Sequence, residues 1–256
     1  MGLPSSVVLS ALEFDVVWES QRLPRRHVVL DVPSPGVTRN QRAELVAGAW
    51  DALAGRGLAT RGRVDPELAD RLALLAYPER SVDGWVWTER EIRGLAVQSG
   101  RDAALAVVDR GEVWLIPARE TSLVEAVVSI AGDCPAGYGR STSVPLELLR
   151  SADKAAGGDA RSMVTELADL GVPLSKAQVL AGMFDGMVGR GQFGAQRTGS
   201  GRVTHRADRV VAFHDTGRGR YLYLTRPSAD GQVWATVTPA DNRSVAAAVW
   251  ELLDEV

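Results

Sequence analysis

Residues Gly189–Gly194 are the stretch most suggestive of chemistry, because they match the dinucleotide-binding pattern G-x-G-x-x-G letter for letter. In that pattern a strand enters the loop and a helix leaves it, so that backbone N–H groups face a pyrophosphate. Here the flanking sequence predicts the reverse order, a helix before the glycines and extended chain after them. We therefore favour a glycine-rich exit from a helix into a strand. Binding of a nucleotide or small molecule through this loop and His214 is the alternative.

The histidines and the single cysteine form no recognisable catalytic pattern. His27, His205 and His214 are far apart, and none has a partner at metal-ligand spacing. His214 and Asp215 are neighbours on a predicted strand, so their side chains should point to opposite faces. Cys134 lies in no nucleophile motif and has no second cysteine to pair with. The sequence therefore predicts no catalytic residue, no metal site and no cofactor.

The segment after Met187 is rich in arginine and contains few acids, Asp208 and Asp215. Nucleic-acid binding would need this charge gathered on one face, usually with stacking aromatic side chains. Arginines spread over several strands and turns are instead predicted to keep the sheet edges hydrated and to oppose edge-to-edge aggregation. A surface for an anionic partner is the alternative. The arginines are Arg190, Arg197, Arg202, Arg206, Arg209, Arg218, Arg220 and Arg226.

The overall composition is that of a globular protein with a full core. The chain has 256 residues, of which 45% are hydrophobic and 24% charged. Its net charge of -3 gives no general attraction to nucleic acid or to an anionic membrane. Met1–Ser20 does not resemble a signal peptide, and no 18-residue apolar run occurs. We therefore expect a reduced, cytoplasmic protein, and the excess of Arg over Lys is typical of a GC-rich genome such as that of an actinobacterium.

The elements that must position any site are clearest at the end of the chain. Arg209–His214, Tyr221–Thr225 and Val233–Thr238 are short β-type runs joined by glycine-bearing turns, which indicates antiparallel hairpins. The amphipathic segment Asn242–Val256 follows, with Asp241 as its predicted N-cap. This part of the chain therefore predicts a β-β-β-α unit.

A similar unit occurs earlier in the sequence. Val113-Trp114 and Val233-Trp234 are 120 residues apart, and Pro117 and Pro239 are 122 apart. A period near half the chain indicates duplication and a pseudo-two-fold arrangement rather than a repeat array. We predict one domain over residues 1–256, with pseudo-repeats of approximately 1–132 and 133–256.

The remaining elements complete an α+β prediction, a central, mostly antiparallel sheet with two flanking helical bundles. Capping patterns begin helices after Ser10, Thr38 and Asp65. The apolar faces of the sheet could be covered by the protein's own helices or could include a patch for a partner. Further strands are predicted at Val7–Leu9, His27–Val32, Trp85–Trp87, Ile92–Val97 and Ala103–Asp109, and helices at Ser122–Ile130, Pro145–Ala156, Asp159–Leu170 and Ser175–Met187.

Several short motifs, taken in order, resemble the EspG family. They include Ile92–Val97, Leu170–Pro173, the Phe184-Asp185-Gly186 exit from a helix, Asp215-Thr216 and Thr238-Pro239. The resemblance covers nearly the whole chain. It implies a central antiparallel sheet with two helical bundles in a quasi-two-fold arrangement, in agreement with the duplication.

The resemblance also implies a function. EspG-like proteins are cytosolic chaperones of ESX (type VII) secretion systems that bind the PPE tip of PE–PPE heterodimers, keep the pair soluble and target it for export, without catalytic residues. The family's binding loop corresponds to Thr88–Glu91, which is shorter than usual and leaves a different helical substrate as an alternative. A homodimeric interaction protein is a further alternative. The resemblance implies these partner-binding residues: Trp87, Thr88, Glu89, Arg90, Leu95, Val97, Met183, Phe184 and Met187.

Overall fold

The computed structural model describes residues 6–199, 201 and 203–256, and it has the predicted α+β class. Within these residues there are eight α-helices and thirteen strands. The helices are α1 Ala11–Ser20, α2 Arg39–Gly55, α3 Pro66–Ala76, α4 Leu123–Val128, α5 Leu146–Ala156, α6 Ala160–Asp169, α7 Leu174–Phe184 and α8 Asn242–Asp254. The strands are β1 Val7–Ser10, β2 Ala59–Thr60, β3 Arg63–Val64, β4 Arg80–Trp87, β5 Glu91–Ser99, β6 Asp102–Asp109, β7 Glu112–Arg119, β8 Thr142–Pro145, β9 Met187–Thr198, β10 Thr204–Arg206, β11 Val211–Thr216, β12 Gly219–Pro227 and β13 Val233–Pro239.

The chain divides into two compact units. Unit 1 comprises the residues up to Trp85, Glu91–Ile130 and Ala195–Arg206. Unit 2 comprises Val86–Arg90, Ala131–Gly194 and Ala207–Val256. The prediction of a single domain over residues 1–256 stays a prediction.

Unit 1 is built on strands in the order β1-β7-β6-β5-β4, with antiparallel ladders such as the one that pairs Val8 with Trp114. Helices α1 and α3 cover one face, and their apolar residues form a core with Leu95 and Val97. Gly94 points to the opposite face, because alternate residues of a strand do so, and Ile130 from the segment after α4 packs over it. Both faces of this sheet are therefore covered by helical segments of the unit itself.

Unit 2 has strands in the order β9-β11-β12-β13-β8, again with antiparallel ladders. Helices α5, α6 and α7 cover one face, and their core includes Leu180, Tyr221 and Val237. Helix α8 packs on β11, and its N-cap is Asp241, whose carboxylate accepts a hydrogen bond from the Ser244 amide at 2.9 Å. The predicted cap of this helix is confirmed.

The two units repeat the same order of elements. Each begins with a strand that leads into helices, continues with four main strands and ends in a helix. The predicted β-β-β-α unit is present as β5-β6-β7-α4 and as β11-β12-β13-α8. Short turns connect the strands of each set, which makes antiparallel pairing of sequential strands the natural outcome.

The predicted strand at His27–Val32 is wrong, since Val28–Leu30 forms a single 3₁₀ turn. The His27 carbonyl accepts a hydrogen bond from the Leu30 amide at 2.8 Å, and its imidazole Nδ1 accepts one from Val29 at 3.4 Å. Val29, Leu30 and Val32 are buried in the unit 1 core. The β-branched pattern therefore reports burial rather than strand pairing, as β-propensity depends on context.

Two further predictions need correction. Strand β8 is absent from the sequence prediction, which begins a helix at Pro145, the residue that ends this strand. Helix α7 ends at Phe184 rather than Met187. The chain leaves the helix at Asp185, whose backbone is extended, and Gly186 then turns it with a φ of +68°, a left-handed conformation that glycine adopts without strain.

Candidate partner-binding surface

The predicted binding loop starts as a tight turn at the end of β4; Thr88, Glu89 and Arg90 belong to unit 2, and Glu91 is the first residue of β5. The Thr88 amide donates a hydrogen bond to the Arg90 carbonyl at 3.0 Å, and Thr88, Glu89 and Arg90 are all exposed. Trp87 precedes the turn and is half-buried, with the Arg190 guanidinium 5.6 Å from its ring centroid. Such a cation–π contact orients both side chains at modest energy. The turn therefore presents charged residues beside an aromatic ring.

Strand β9 passes close beneath this turn, and a glycine makes the approach possible. A Cβ on Gly189 would lie 3.2 Å from Thr88 Cγ2 and 3.4 Å from the Trp87 carbonyl oxygen. The residues Gly189–Gly194 lie wholly inside β9, so they form neither a phosphate-binding loop nor the helix exit we predicted. The nucleotide-binding alternative thus lacks the strand–loop–helix geometry that it requires.

The start of β9 exposes two apolar side chains. Met187 is 46% exposed and Val188 is 67% exposed. Thr216 pairs with Met187 and Asp215 pairs with Gly189, so Val188 is an extra residue that forms a β-bulge. A bulge of this kind re-aims side chains and is common beside functional sites. It explains why neighbouring side chains on one strand are both open to solvent.

The end of helix α7 is fixed to the sheet by His214. This imidazole stacks on Phe184 with ring centroids 4.6 Å apart, and its Nε2 donates a hydrogen bond to the Met183 carbonyl at 2.8 Å. On its other side His214 stacks on Tyr221 at 5.3 Å. Burial lowers the pKa of His214 below its ordinary value, outweighing the Met183 hydrogen bond and the Asp215 carboxylate, which raise it. The neutral ring is therefore a structural donor, not an exposed base.

The nine predicted partner-binding residues fall into two groups. Leu95 and Val97 lie in the core of unit 1, and Met183 lies in the core of unit 2. Partner contact at these three stays a prediction, and their burial limits what a partner could reach. The other six lie in unit 2 and are exposed or half-buried. We call these six together with Val188 the partner surface: Trp87, Thr88, Glu89, Arg90, Phe184, Met187 and Val188.

The sequence prediction did not include three residues that form or support this surface. Val188 belongs to the surface, Arg190 contacts Trp87, and His214 stacks on Phe184. The Val188 bulge depends on the register between β9 and β11, which no local pattern reveals. Arg190 was considered only as one of many arginines. The sequence presents His214 only as a possible catalytic residue, because its packing against Phe184 joins residues thirty positions apart.

Among the other reactive side chains, His27 and Cys134 are half-buried and His205 is exposed. His27 contacts Gln196, with their Nε2 atoms 3.2 Å apart, and lies 3.8 Å from Asp83. Burial and the proximity of Asp215 raise the pKa of the half-buried Cys134 thiol, which disfavours the nucleophilic thiolate. No group of three or more His, Cys, Asp or Glu side chains in the described part of the chain could hold a metal ion.

The positive charge of the arginines after Met187 is neutralised by nearby acids more fully than the sequence suggests. Acids far away in the chain pair with them, so counting only Asp208 and Asp215 understates the local balance. Arg202 lies outside the described residues. The ion pairs are Arg206–Asp83, Arg209–Glu255, Arg218–Asp185, Arg220–Asp215 and Arg226–Glu251.

Comparison with known proteins identifies the class to which this fold belongs. The model of the EspG family matches residues 10–251, and the chain therefore belongs to the EspG family. The predicted family assignment is confirmed.

Among solved structures, the chain is similar to the type VII secretion system chaperone EspG5 of Mycobacterium tuberculosis, determined in complex with a PE25-PPE41 dimer. The TM-score is 0.76 at 15% sequence identity, and the alignment covers 97% of this chain and 96% of that one. No curated protein matches the sequence. No helix in the described residues combines the length and apolar character needed to cross a bilayer.

Proposed function

We propose that this chain is a cytoplasmic, non-enzymatic chaperone of a type VII (ESX) secretion system that binds a PE–PPE-type heterodimer and keeps it soluble for export. The observation that carries this proposal is the family match over residues 10–251. The fold similarity to EspG5, which was solved with a PE–PPE dimer bound, supports it.

The partner surface has the composition that such binding requires. Met187 and Val188 supply exposed apolar area, and Trp87 adds a half-buried aromatic ring beside them. Glu89 and Arg90 lie at the tip of the adjacent turn. Protein interfaces commonly combine an apolar centre with a polar rim, and a few aromatic or apolar anchors supply most of the affinity. A chaperone with this surface would shield apolar residues of the helical substrate from water.

Co-expression with the PE–PPE-type pair encoded beside this gene tests the proposal. We expect the three chains to co-elute in size-exclusion chromatography, with a light-scattering mass of one copy of each. Separate elution, with the pair aggregating whether or not this chain is present, would contradict the proposal for that substrate. A mass of two copies of this chain alone would favour the homodimer instead.

A charge placed on the partner surface should separate binding from folding. Val188→Asp puts a carboxylate where apolar contact is proposed, and burying it unpaired is costly, so we expect the affinity for the pair to fall about tenfold or more. Val37→Asp is the matched control, since Val37 is 96% exposed and belongs to unit 1, whereas the partner surface belongs to unit 2. Equal affinities of the two variants, measured by calorimetry, would remove Val188 from the interface.

A further inference from the structure

The segment between α4 and β8 contains residues 131–141, which start at the last residue of a 3₁₀ turn and form no α-helix or strand, yet are held firmly against the rest of unit 2. The Arg220 amide donates to the Pro135 carbonyl at 2.8 Å, and the Arg220 carbonyl accepts from the Gly137 amide at 2.9 Å. The Arg220 guanidinium, which is fully buried, donates to the Ala131 carbonyl at 2.9 Å and to the Gly132 carbonyl at 3.4 Å. A loop tied at four carbonyl or amide groups has little backbone freedom left to lose on binding.

Two glycines allow this loop to lie flat on strand β12. A Cβ on Gly137 would lie 2.2 Å from the Tyr221 ring carbon Cζ, a separation that no real side chain tolerates. Gly219 has a φ of +122°, and a Cβ there would lie 2.7 Å from the Pro135 carbonyl oxygen. The backbone of the loop is therefore in direct van der Waals contact with β12, in addition to its hydrogen bonds.

Tyr138 projects from this fixed loop into solvent. Its carbonyl accepts a hydrogen bond from the Tyr221 hydroxyl at 3.0 Å, so its backbone is anchored, yet the residue is 78% exposed. An exposed tyrosine contributes little to folding, because its apolar ring remains in water. A tyrosine on a rigid backbone is nevertheless an effective binding anchor, since it offers a large contact area and has few torsions to immobilise.

The loop is continuous with the partner surface through helix α7. The position of a Cβ on Gly139, the residue after Tyr138, lies 3.5 Å from the Met183 sulfur. Met183 precedes Phe184, and the exposed residues Met187 and Val188 follow three and four positions later. Tyr221 also links the two regions, because it bonds the loop and stacks on His214, which in turn stacks on Phe184.

We propose that Tyr138 is a further partner-binding residue, a preorganised aromatic anchor that extends the partner surface from the α7–β9 junction onto the 131–141 loop. The inference rests on the proposed function, and its occupant is the same helical PE–PPE-type heterodimer. Arg220 and Gly137 act as positioning residues, since they fix the loop without touching the partner.

Titration calorimetry with the purified PE–PPE-type pair encoded beside this gene tests the inference. We expect Tyr138→Ala to weaken binding about tenfold or more, as removal of an interface anchor does, without changing the melting temperature. Tyr138→Phe should retain most of the affinity if the ring is the anchor. Tyr77→Ala is the matched control, because Tyr77 is a half-exposed tyrosine in unit 1 whose loss should leave the affinity unchanged.

The outcomes separate the inference from the proposed function. If the wild-type chain binds the pair and Tyr138→Ala binds within about twofold of it, the inference is overturned and the proposed function stands. If the wild-type chain does not bind the pair, the proposed function fails for that pair and the inference fails with it. An equal loss for Tyr138→Ala and Tyr77→Ala would also overturn the inference, because it would show an effect unrelated to position.

Discussion

Among the described residues, the buried charges of unit 1 are carboxylates, whereas the most deeply buried charge of unit 2 is a guanidinium. Asp83 accepts two hydrogen bonds from Arg206, at 2.7 and 3.0 Å, and Arg206 remains partly exposed. Arg220 is fully buried and pairs with Asp215 through two hydrogen bonds, at 2.7 and 2.9 Å. It also donates to Asn242 at the start of α8 and lies over the Phe213 ring, with 4.4 Å to the centroid.

The two units therefore differ in which substitution destabilises them most. An arginine that reaches a buried acid from the surface can turn into water when the acid is lost. A buried arginine cannot be replaced by solvent, so its partners are left unsatisfied inside the fold. Units with the same order of elements therefore respond differently to the loss of one charge, and unit 2 depends more on a single side chain.

The largest effect is expected for Arg220→Ala. The variant removes the donor of the Asp215 carboxylate and of the Ala131 carbonyl, whereas the Gly132 carbonyl keeps its hydrogen bond from Asn242. The free energy of unfolding should fall by about 3–5 kcal/mol in urea denaturation. Arg226→Ala, on the same strand, is the control, because its ion pair with Glu251 is exposed and should contribute less than about 1 kcal/mol. If Arg220→Ala and Arg226→Ala lost similar free energies of unfolding, burial of the arginine would not be what determines the loss.

Asp83→Ala is the corresponding test in unit 1. It removes two charge-assisted hydrogen bonds but leaves Arg206 free to hydrate, so we expect a loss of about 1.5–3 kcal/mol, less than that of Arg220→Ala. Urea denaturation of both variants under one set of conditions makes the comparison. A larger loss in the free energy of unfolding for Asp83→Ala than for Arg220→Ala would show that unit 1, not unit 2, depends more on its buried charge.

Glycine substitutions compare how closely each unit packs backbone against side chain. Gly137→Ala in unit 2 collides with the Tyr221 ring, and the resulting overpacking should cost about 1–3 kcal/mol. Gly94→Ala in unit 1 meets the terminal Cδ1 of Ile130 at 2.9 Å, and this flexible end can move aside. We expect a loss below about 1 kcal/mol for Gly94→Ala, measured by thermal and urea unfolding. Equal losses would mean that the 131–141 loop yields as easily as a side chain.

The smallest effect is a pH dependence in unit 1. Burial raises the pKa of Asp15, but hydrogen bonds from Ser34, Arg26 and Arg42 outweigh it and hold the pKa below its ordinary value. A carboxyl whose pKa is lowered in the folded state stabilises it above the ordinary pKa, about 4, and this stabilisation is lost as the pH falls through the folded-state pKa. Asp15→Asn should therefore lose more stability relative to wild type at pH 6 than at pH 3. A difference independent of pH would exclude the carboxylate as its source.

Local elements were largely predictable from the sequence. The capping box at Ser10 forms as predicted, with the Ser10 amide 2.7 Å from Glu13 Oε2 and the Glu13 amide 3.2 Å from Ser10 Oγ. Asp65 and Asp241 cap their helices, and the hairpins of both units follow from alternating runs and glycine turns. These signals involve only a few neighbouring residues, so they can be recognised in the sequence without knowledge of the fold.

The candidate site was less predictable, because its parts meet only through tertiary contacts. The pattern at Leu95 and Val97 marks apolar strand residues but does not say which face a partner could reach. The same pattern at His27–Val32 indicates burial and was mistaken for a strand. Exposure of Met187 and Val188 depends on a bulge in the β9–β11 register, a property of two strands jointly.

The class of the fold, the repeated β-β-β-α order and the family follow from periodicity, caps and motif spacing along the chain. Which apolar residues are exposed, and how the 131–141 loop holds Tyr138, depend on tertiary contacts. Those features arise from contacts such as Arg220 with the Ala131 carbonyl, between residues distant in sequence. Such contacts form when the chain packs, and no local pattern encodes them.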